Sequence, residues 1–234
     1  MRIVRGSASD VARDRRITAS IADLASDTAE PVLRVWTPPR HLAFGRRDAT
    51  AEGYDRARRI AAESGYEPIE RSVGGTAVAY TGRTVAFGYA EPTDGRNGID
   101  RRYRRTTATL ADALRDIGAM ISRGEPDRSF CPGRHSLQGA GKVAGIAQRV
   151  RRDSALVGGC VVVLRSDCAA IAEILEPIYD AIDRPFDPES VGSVEAAGGT
   201  DGVEAVKNAI EHAFTAGRIS TTVSAAELPD SDAP

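Results

Sequence analysis

The chain has 234 residues, enough for one large α/β domain or two small ones. Apolar residues make up 41% and charged residues 27%, proportions typical of globular proteins. The formal net charge of −2 argues against a general affinity for nucleic acids or acidic membranes, so we expect neither as a partner.

No signal of export or membrane insertion is visible. The first six residues lack the apolar core of a signal peptide, and no run approaches the roughly 18 apolar residues of a membrane span. Three cysteines in a chain of this length do not make a disulfide framework. We therefore expect a protein of the reducing cytoplasm.

The first third of the chain predicts strands alternating with helices. Residues 1–5, 32–36 and 42–44 are short apolar strands. Apolar residues at helical spacing predict one helix from about Ser7, a plausible N-cap, and another over 50–64 that ends at Gly65.

Between residues 67 and 89 the pattern becomes that of strands. Residues 77–80 and 84–89 flank Thr81-Gly82-Arg83, which predicts a hairpin turn. The longest helical pattern follows over 99–121. Hairpins between helices, without a regular βαβ alternation, predict an α/β fold of the α+β type: a mixed, largely antiparallel sheet with flanking helices.

The second half predicts another hairpin, two helices and a tail. Strands over 143–149 and 155–164 are neighbours, and a helix that Asp167 caps must break or kink at Pro177. A last amphipathic helix ends at Gly217. We expect one catalytic domain over 1–217 and a disordered acidic tail over 218–234.

Cys131 and Lys142 lie eleven residues apart in a glycine-rich segment. A thiol can carry an acyl group as a thioester, and an ammonium can stabilise the oxyanion that forms when that group moves. The chain has two lysines, Lys142 and Lys207, against 29 arginines (31 minus 2), so an amine in this position stands out. The alternative is an ordinary surface lysine in a glycine-rich turn.

A second glycine-rich segment follows the strand that ends near Arg71. Gly74 and Gly75 permit close approach of the backbone to a ligand, and Arg71 could hold an anion or an acyl carbonyl. The alternative is a hairpin with a glycine bulge. Neither glycine segment has the spacing of a dinucleotide fingerprint or a phosphate loop.

The other cysteines and the histidines carry weaker signals. Cys160 is predicted to be a buried core thiol and Cys168 a structural residue of a helix. His135 could act as a base, whereas His41 and His212 are interpreted as surface or capping residues. These residues do not show the spacing of zinc ligands, so no metal site is predicted.

Taken together, these segments resemble the biotin/lipoate protein ligase superfamily. The likeness rests on Arg71-Ser72-Val73-Gly74-Gly75-Thr76-Ala77-Val78 and on Gly-Ala-Gly-Lys-Val-Ala-Gly-Ile-Ala-Gln, with its lysine at 142. Ser129-Phe130-Cys131-Pro132-Gly133 is similar to the motif of lipoate-pathway amidotransferases, which move an octanoyl group from the glycine-cleavage H protein to lipoyl domains of 2-oxoacid dehydrogenases. Thr76 and Tyr80 replace a glycine and a histidine that ATP-dependent ligases typically have.

The resemblance implies an octanoyl or lipoyl transferase that needs no cofactor, with Cys131 as nucleophile and Lys142 at the acyl carbonyl. It implies the H protein and lipoyl domains as partners. The substrate-binding residues implied are Arg71, Ser72, Gly74, Gly75, Thr76, Ala77, Gly141, Gly145 and Ala147. The alternative is an ATP- and Mg-dependent lipoate or biotin ligase, or a catalytic half of one that needs a partner chain.

Overall fold

A computed structural model describes residues 1–71, 74–95 and 97–228. The helices are α1 (Val11–Thr28), α2 (Tyr54–Glu63), α3 (Ile99–Asp116), α4 (Arg165–Ala181) and α5 (Val203–Thr215). The strands are β1 (Arg2–Arg5), β2 (Val32–Trp36), β3 (His41–Phe44), β4 (Glu67–Glu70), β5 (Val78–Tyr80), β6 (Val85–Pro92), β7 (Ser122–Arg123), β8 (Ser136–Gly139), β9 (Gly141–Val150), β10 (Ser154–Val161) and β11 (Thr221–Ser224). None of the helices in these ranges is long and apolar enough to span a membrane.

The strands form two sheets. The large one has eight strands in the order β11-β1-β2-β6-β10-β9-β8-β7, and the small one has the order β4-β3-β5. In the large sheet β1 pairs in parallel with β2 and β11, and every other pairing is antiparallel. The predicted mixed, largely antiparallel sheet with flanking helices is therefore confirmed.

Both faces of the large sheet are covered, because successive strand residues point to opposite sides. On β2, Val32 packs with the apolar face of α1, while Leu33 belongs to the core beneath α3 and α5. The helices α2 and α4 pack against each other and enclose a third cluster with the small sheet. The Cys131 segment lies beside this third cluster, between the two sheets.

The predicted hairpin over 77–89 is wrong. β5 pairs with β3 in the small sheet, whereas β6 pairs with β2 and β10 in the large one. The turn at Thr81-Gly82-Arg83, with Gly82 at φ +83°, carries the chain from one sheet to the other. The predicted hairpin of 143–149 with 155–164 is confirmed as β9 and β10.

Two helices differ from the sequence-based expectation. α1 begins after Asp10, whose carboxylate accepts a hydrogen bond from the Arg13 backbone N–H at 2.7 Å, and not near Ser7. α4 runs through Pro177, because its apolar face packs against α2 and outweighs one lost hydrogen bond.

The predicted disordered tail is wrong for residues 221–228. β11 adds in parallel to β1, and a short 3-10 turn over Ala225–Glu227 follows it. The backbone of an edge strand offers unpaired N–H and C=O groups, which even a polar segment can satisfy. The rest of that tail, 229–234, lies outside the described residues.

Candidate active site

The loop between β7 and β8 holds Cys131 in an unusual backbone conformation. Its φ is +42°, a left-handed value that residues with a side chain seldom adopt. The Cys131 N–H donates to the Tyr179 hydroxyl at 2.6 Å, and that hydroxyl donates to the Ala77 carbonyl at 3.0 Å. Helix α4, which carries Tyr179, thus ties the Cys131 loop to the segment that enters β5.

Arg71 lies against the Cys131 sulfur. Its Nη2 donates to Sγ at 3.1 Å and to the Thr76 carbonyl at 2.7 Å. Burial by itself lowers the pKa of Arg71, but the neighbouring Cys131 sulfur and Tyr80 outweigh burial, so the pKa lies above its ordinary value. A guanidinium in this position stabilises negative charge on the sulfur.

Gly75 explains why the backbone can come so close to this pair. It has φ +100°, and a Cβ added there would lie 2.7 Å from Cys131 Sγ and 2.8 Å from Arg71 Nη2. Any side chain would displace the sulfur or the guanidinium. The sequence predicted close approach of this backbone to a ligand, and in the structure it closely approaches the Cys131 sulfur.

The alternative interpretation of Lys142 as a surface residue in a glycine-rich turn is wrong. Lys142 is the second residue of β9, and it is fully buried. Its ammonium donates to Glu125 Oε2 at 2.6 Å, to the Cys131 carbonyl at 2.7 Å and to the Phe130 carbonyl at 2.8 Å. An ammonium has three N–H donors, so protein acceptors engage all of them.

A cavity of about 580 Å³ opens beside Cys131 and extends between the sheets. Much of its wall is apolar, including Trp36, Phe87, Ile146 and Leu156. The charged side chains among the described residues of its lining are all cationic: Arg15, Arg71, Arg134, Lys142, Arg149 and Arg151. No carboxylate belongs to that set, although the whole chain has 33 acidic residues and a net charge of −2.

Seven of the predicted site residues line this cavity: Cys131, Lys142, Arg71, Gly74, Gly75, Gly145 and Ala147. Thr76, Ala77 and Gly141 do not. Thr76 and Ala77 contribute carbonyls that hold Arg71 and Tyr179. Gly141, at φ +87°, packs so tightly on the 191–192 backbone that a Cβ would lie 2.6 Å from the Gly192 nitrogen. Ser72 lies outside the described residues.

The two histidines at the cavity are held by stacking. His41, interpreted from the sequence as a surface or capping residue, is buried and stacks on Tyr80 with ring centroids 4.2 Å apart. His135 stacks on Tyr103 at 3.9 Å. Burial lowers the pKa of both rings. Among the described residues, no group of three or more His, Cys, Asp or Glu is arranged to hold a metal ion.

The other thiols differ from Cys131. Burial raises the pKa of Cys160 to about 12, and it also raises the pKa of Cys168. Cys160 lies in β10 at the cavity wall, and Cys168 lies in the first turn of α4. Cys160 was predicted to be a buried core thiol, but it is partly buried and lines the cavity, whereas Cys168 lies in a helix as predicted.

Sequence reasoning missed Glu125 and Tyr179. Glu125 lies 17 residues from Lys142, and Tyr179 lies 48 residues from Cys131. Only folding brings each pair together, and no spacing rule connects them. A buried ammonium requires a carboxylate partner, but this signal was not available because the burial of Lys142 was not predicted.

Solved structures with a similar fold include lipoate-protein ligases. The fold is similar to a lipoate-protein ligase A bound with ATP, with a TM-score of 0.76 at 17% identity over 95% of this chain and 88% of that one. It is also similar to a bipartite lipoate protein ligase of Thermoplasma acidophilum, at TM-score 0.71, 16% identity, and 95% and 86% coverage. The chain belongs to the lipoyl protein ligase A/B catalytic domain family, whose model matches residues 10–215.

Relatives of known name are similar over part of the chain. An octanoyl-[GcvH]:protein N-octanoyltransferase of an Exiguobacterium species is 31% identical over 150 residues, which are 64% of this chain and 53% of the relative. The enzyme of that name from Geobacillus kaustophilus is 30% identical over 154 residues, 65% and 54% of the two. The match therefore spans about half the length of these relatives.

Proposed function

We propose that this protein is an acyltransferase of protein lipoylation that moves an octanoyl group through a thioester on Cys131. The observation that carries this proposal is the hydrogen bond of 3.1 Å from Arg71 Nη2 to Cys131 Sγ at an apolar cavity. The thiolate is the nucleophilic form of a cysteine, and a fixed cation beside the sulfur stabilises negative charge there. The names of the relatives support octanoyl as the acyl group.

The transfer takes two displacements. The Cys131 thiolate attacks the carbonyl carbon of an octanoyl-lysine amide on a donor protein, and the C–N bond breaks as the departing amine takes up a proton. The lysine amine of an acceptor domain then attacks the thioester, loses a proton and expels the thiolate. The sum is exchange of one amide for another, without oxidant, reductant or nucleotide.

The oxyanion of each step forms beside the sulfur, where Arg71 and the backbone around Gly75 lie. Arg71 Nε is buried and has no hydrogen-bond partner among the described residues, so this N–H can donate to a substrate oxygen. The sequence-based expectation that Lys142 steadies the oxyanion has less support, because its three donors are engaged elsewhere. We assign the oxyanion to Arg71 and the Gly75 backbone.

The cavity also supports the proposed substrates. Its apolar wall suits an uncharged, flexible acyl chain, and its six cations without a carboxylate suit a carrier domain with acidic groups around its modified lysine. The H protein and lipoyl domains of 2-oxoacid dehydrogenases are the proposed donor and acceptors. The same cations suit phosphates, which is the observation in favour of an ATP-dependent ligase as the second candidate.

Incubation with octanoyl-loaded H protein, with EDTA and without ATP, tests the proposal. We expect an octanoyl mass adduct on Cys131 and its transfer to an added lipoyl domain. Cys131→Ala should form no adduct, whereas the matched controls Cys160→Ala and Cys168→Ala should retain most of the activity. Full activity of Cys131→Ala, or modification of the lipoyl domain by free octanoate or lipoate only with ATP and Mg²⁺, would favour the ligase.

A further inference from the structure

Two successive carbonyls point at one ammonium in the Cys131 loop. The carbonyls of Phe130 and Cys131 accept from Lys142 Nζ at 2.8 and 2.7 Å. Successive peptide groups of regular structure do not converge in this way, and here Cys131 has the left-handed φ of +42°. A cation that binds both carbonyls therefore stabilises the backbone conformation that presents the thiol.

Glu125 in turn organises the ammonium and the far side of the loop. Its Oε2 accepts from Lys142 Nζ at 2.6 Å and from Ser136 Oγ at 2.8 Å, and its Oε1 accepts from the Gly133 N–H at 2.7 Å. Burial alone raises the pKa of Glu125. The bonds from Lys142 and Ser136 and the charge of Lys142 outweigh burial, so the pKa lies below its ordinary value. One carboxylate thus connects both sides of Cys131.

We propose that Glu125 is a positioning residue, which acts through Lys142 to hold Cys131 with its sulfur against Arg71. In this proposal Lys142 stabilises the backbone of the Cys131 loop, while Arg71 and the Gly75 backbone contact the acyl group. The proposal rests on the proposed thioester function for its effect on catalysis, but its structural content concerns the thiol alone.

Glu125→Gln tests this role, because glutamine keeps the shape but offers one acceptor oxygen where three donors converge. We expect the rate of Cys131 acylation at saturating donor to fall about 10- to 100-fold, as for a small misplacement of a reacting group. The KM for the donor should change little because the acyl cavity is untouched, whereas the thermal midpoint should fall because the buried Lys142 ammonium loses its carboxylate partner. Alkylation of Cys131 by iodoacetamide at pH 7, followed on its peptide by mass spectrometry, should also slow.

Glu204→Gln is the matched control, since Glu204 pairs with Lys207 at 2.9 Å on the surface of α5. Glu204→Gln should change neither the rate of Cys131 acylation nor the rate of its alkylation by iodoacetamide. If Glu125→Gln fails to fold, Ser136→Ala removes one donor from the same carboxylate, and we expect a smaller shift in the same direction.

The outcomes separate the two proposals. Unchanged or faster acylation in Glu125→Gln, with unchanged alkylation, would overturn the positioning role and indicate that the freed ammonium acts on the acyl group. If the wild-type protein forms no octanoyl adduct, the proposed function fails, while the alkylation rates still decide whether Glu125 holds the thiol.

Discussion

Two buried ion pairs of similar chemistry lie on different sides of the fold. On one side Arg34 Nη2 donates to Asp14 Oδ1 at 2.6 Å, and on the other Lys142 Nζ donates to Glu125 Oε2 at the same distance. Both cations are fully buried. In each pair, further hydrogen bonds engage other donors of the cation, although Arg34 Nε has no partner among the described residues.

The difference lies in where those further bonds end. Arg34 Nη1 binds the Asp14 carbonyl and Thr18 Oγ1, both on α1, and Trp36 Nε1 donates to Asp14 Oδ2. Most of these bonds attach α1 to β2, and Arg34 Nη2 also donates to the Gly6 carbonyl, in the loop before α1, at 3.3 Å. The bonds of Lys142 end on a loop whose backbone is left-handed at a thiol. Both pairs bury a charge, so burial alone does not reveal their role. The role is indicated by the backbone to which the cation is bound: mainly regular elements for Arg34 and the Cys131 loop for Lys142.

The largest effect should come from Arg34→Met. Removing one partner of a fully buried pair leaves the Asp14 carboxylate uncompensated, so we expect the free energy of unfolding to fall by about 3–5 kcal/mol. Chemical denaturation measures this loss. The kcat of the folded fraction should stay within a few-fold of wild type, and a kcat loss as large as that of Lys142→Met would erase the distinction between the pairs.

Lys142→Met should show the opposite balance. Without the ammonium, the Phe130 and Cys131 carbonyls lose their common donor, and we expect transfer to fall about 100-fold. The loss of stability should be smaller than for Arg34→Met, because the Glu125 side chain is 19% exposed and can be hydrated, whereas Asp14 is 5% exposed. Single-turnover acylation of Arg34→Met and Lys142→Met ranks their losses of activity, and chemical denaturation ranks their losses of stability. Equal stability losses would contradict this account.

The smallest effect is expected on acidification. The folded-state pKa of Glu125 lies below its ordinary value of 4.5, so its contribution to stability is present above that pH and is lost as the pH falls through the folded pKa. As the pH falls below about 4.5, protonation of Glu125 should therefore slow the alkylation of Cys131 by iodoacetamide in the wild-type protein. The rate for Glu125→Gln, measured at each pH, serves as the reference because this variant cannot lose that charge. The same acid response in both proteins would show that another group is responsible.

The sequence predicted elements whose signals are local. The helical spacing over 99–121 appears in the structure as α3, which ends at Asp116. The strands predicted over 32–36 and 155–164 appear as β2 and as β10, which ends at Val161. The turn at residues 81–83 was predicted to be a hairpin turn. The same strand pattern and turn residues occur whether the strand after the turn pairs with the strand before it or joins a different sheet. Pairing partners are decided by distant strands, here β2, β3 and β10.

The site was predictable to the extent that its residues lie in glycine-rich segments. The structure brings Cys131, Arg71 and Gly75 into contact, and glycine in each segment was the sequence signal for close approach of backbone. The burial of Lys142 was not expected from the sequence, because flanking glycines are equally typical of a surface turn. Its burial depends on the register of β9 against β8 and on Glu125, and both are non-local.

The left-handed backbone at Cys131 implies a trade-off between activity and stability. A residue with a side chain in this conformation costs roughly 1–3 kcal/mol relative to one that is relaxed, and the surrounding bonds from Lys142 and to Tyr179 must offset that cost. A glycine at position 131 would adopt this φ with less strain, but it would lack the thiol. A strained backbone conformation therefore lies where the chemistry is proposed to occur, and selection for thermal stability alone would act against the nucleophile.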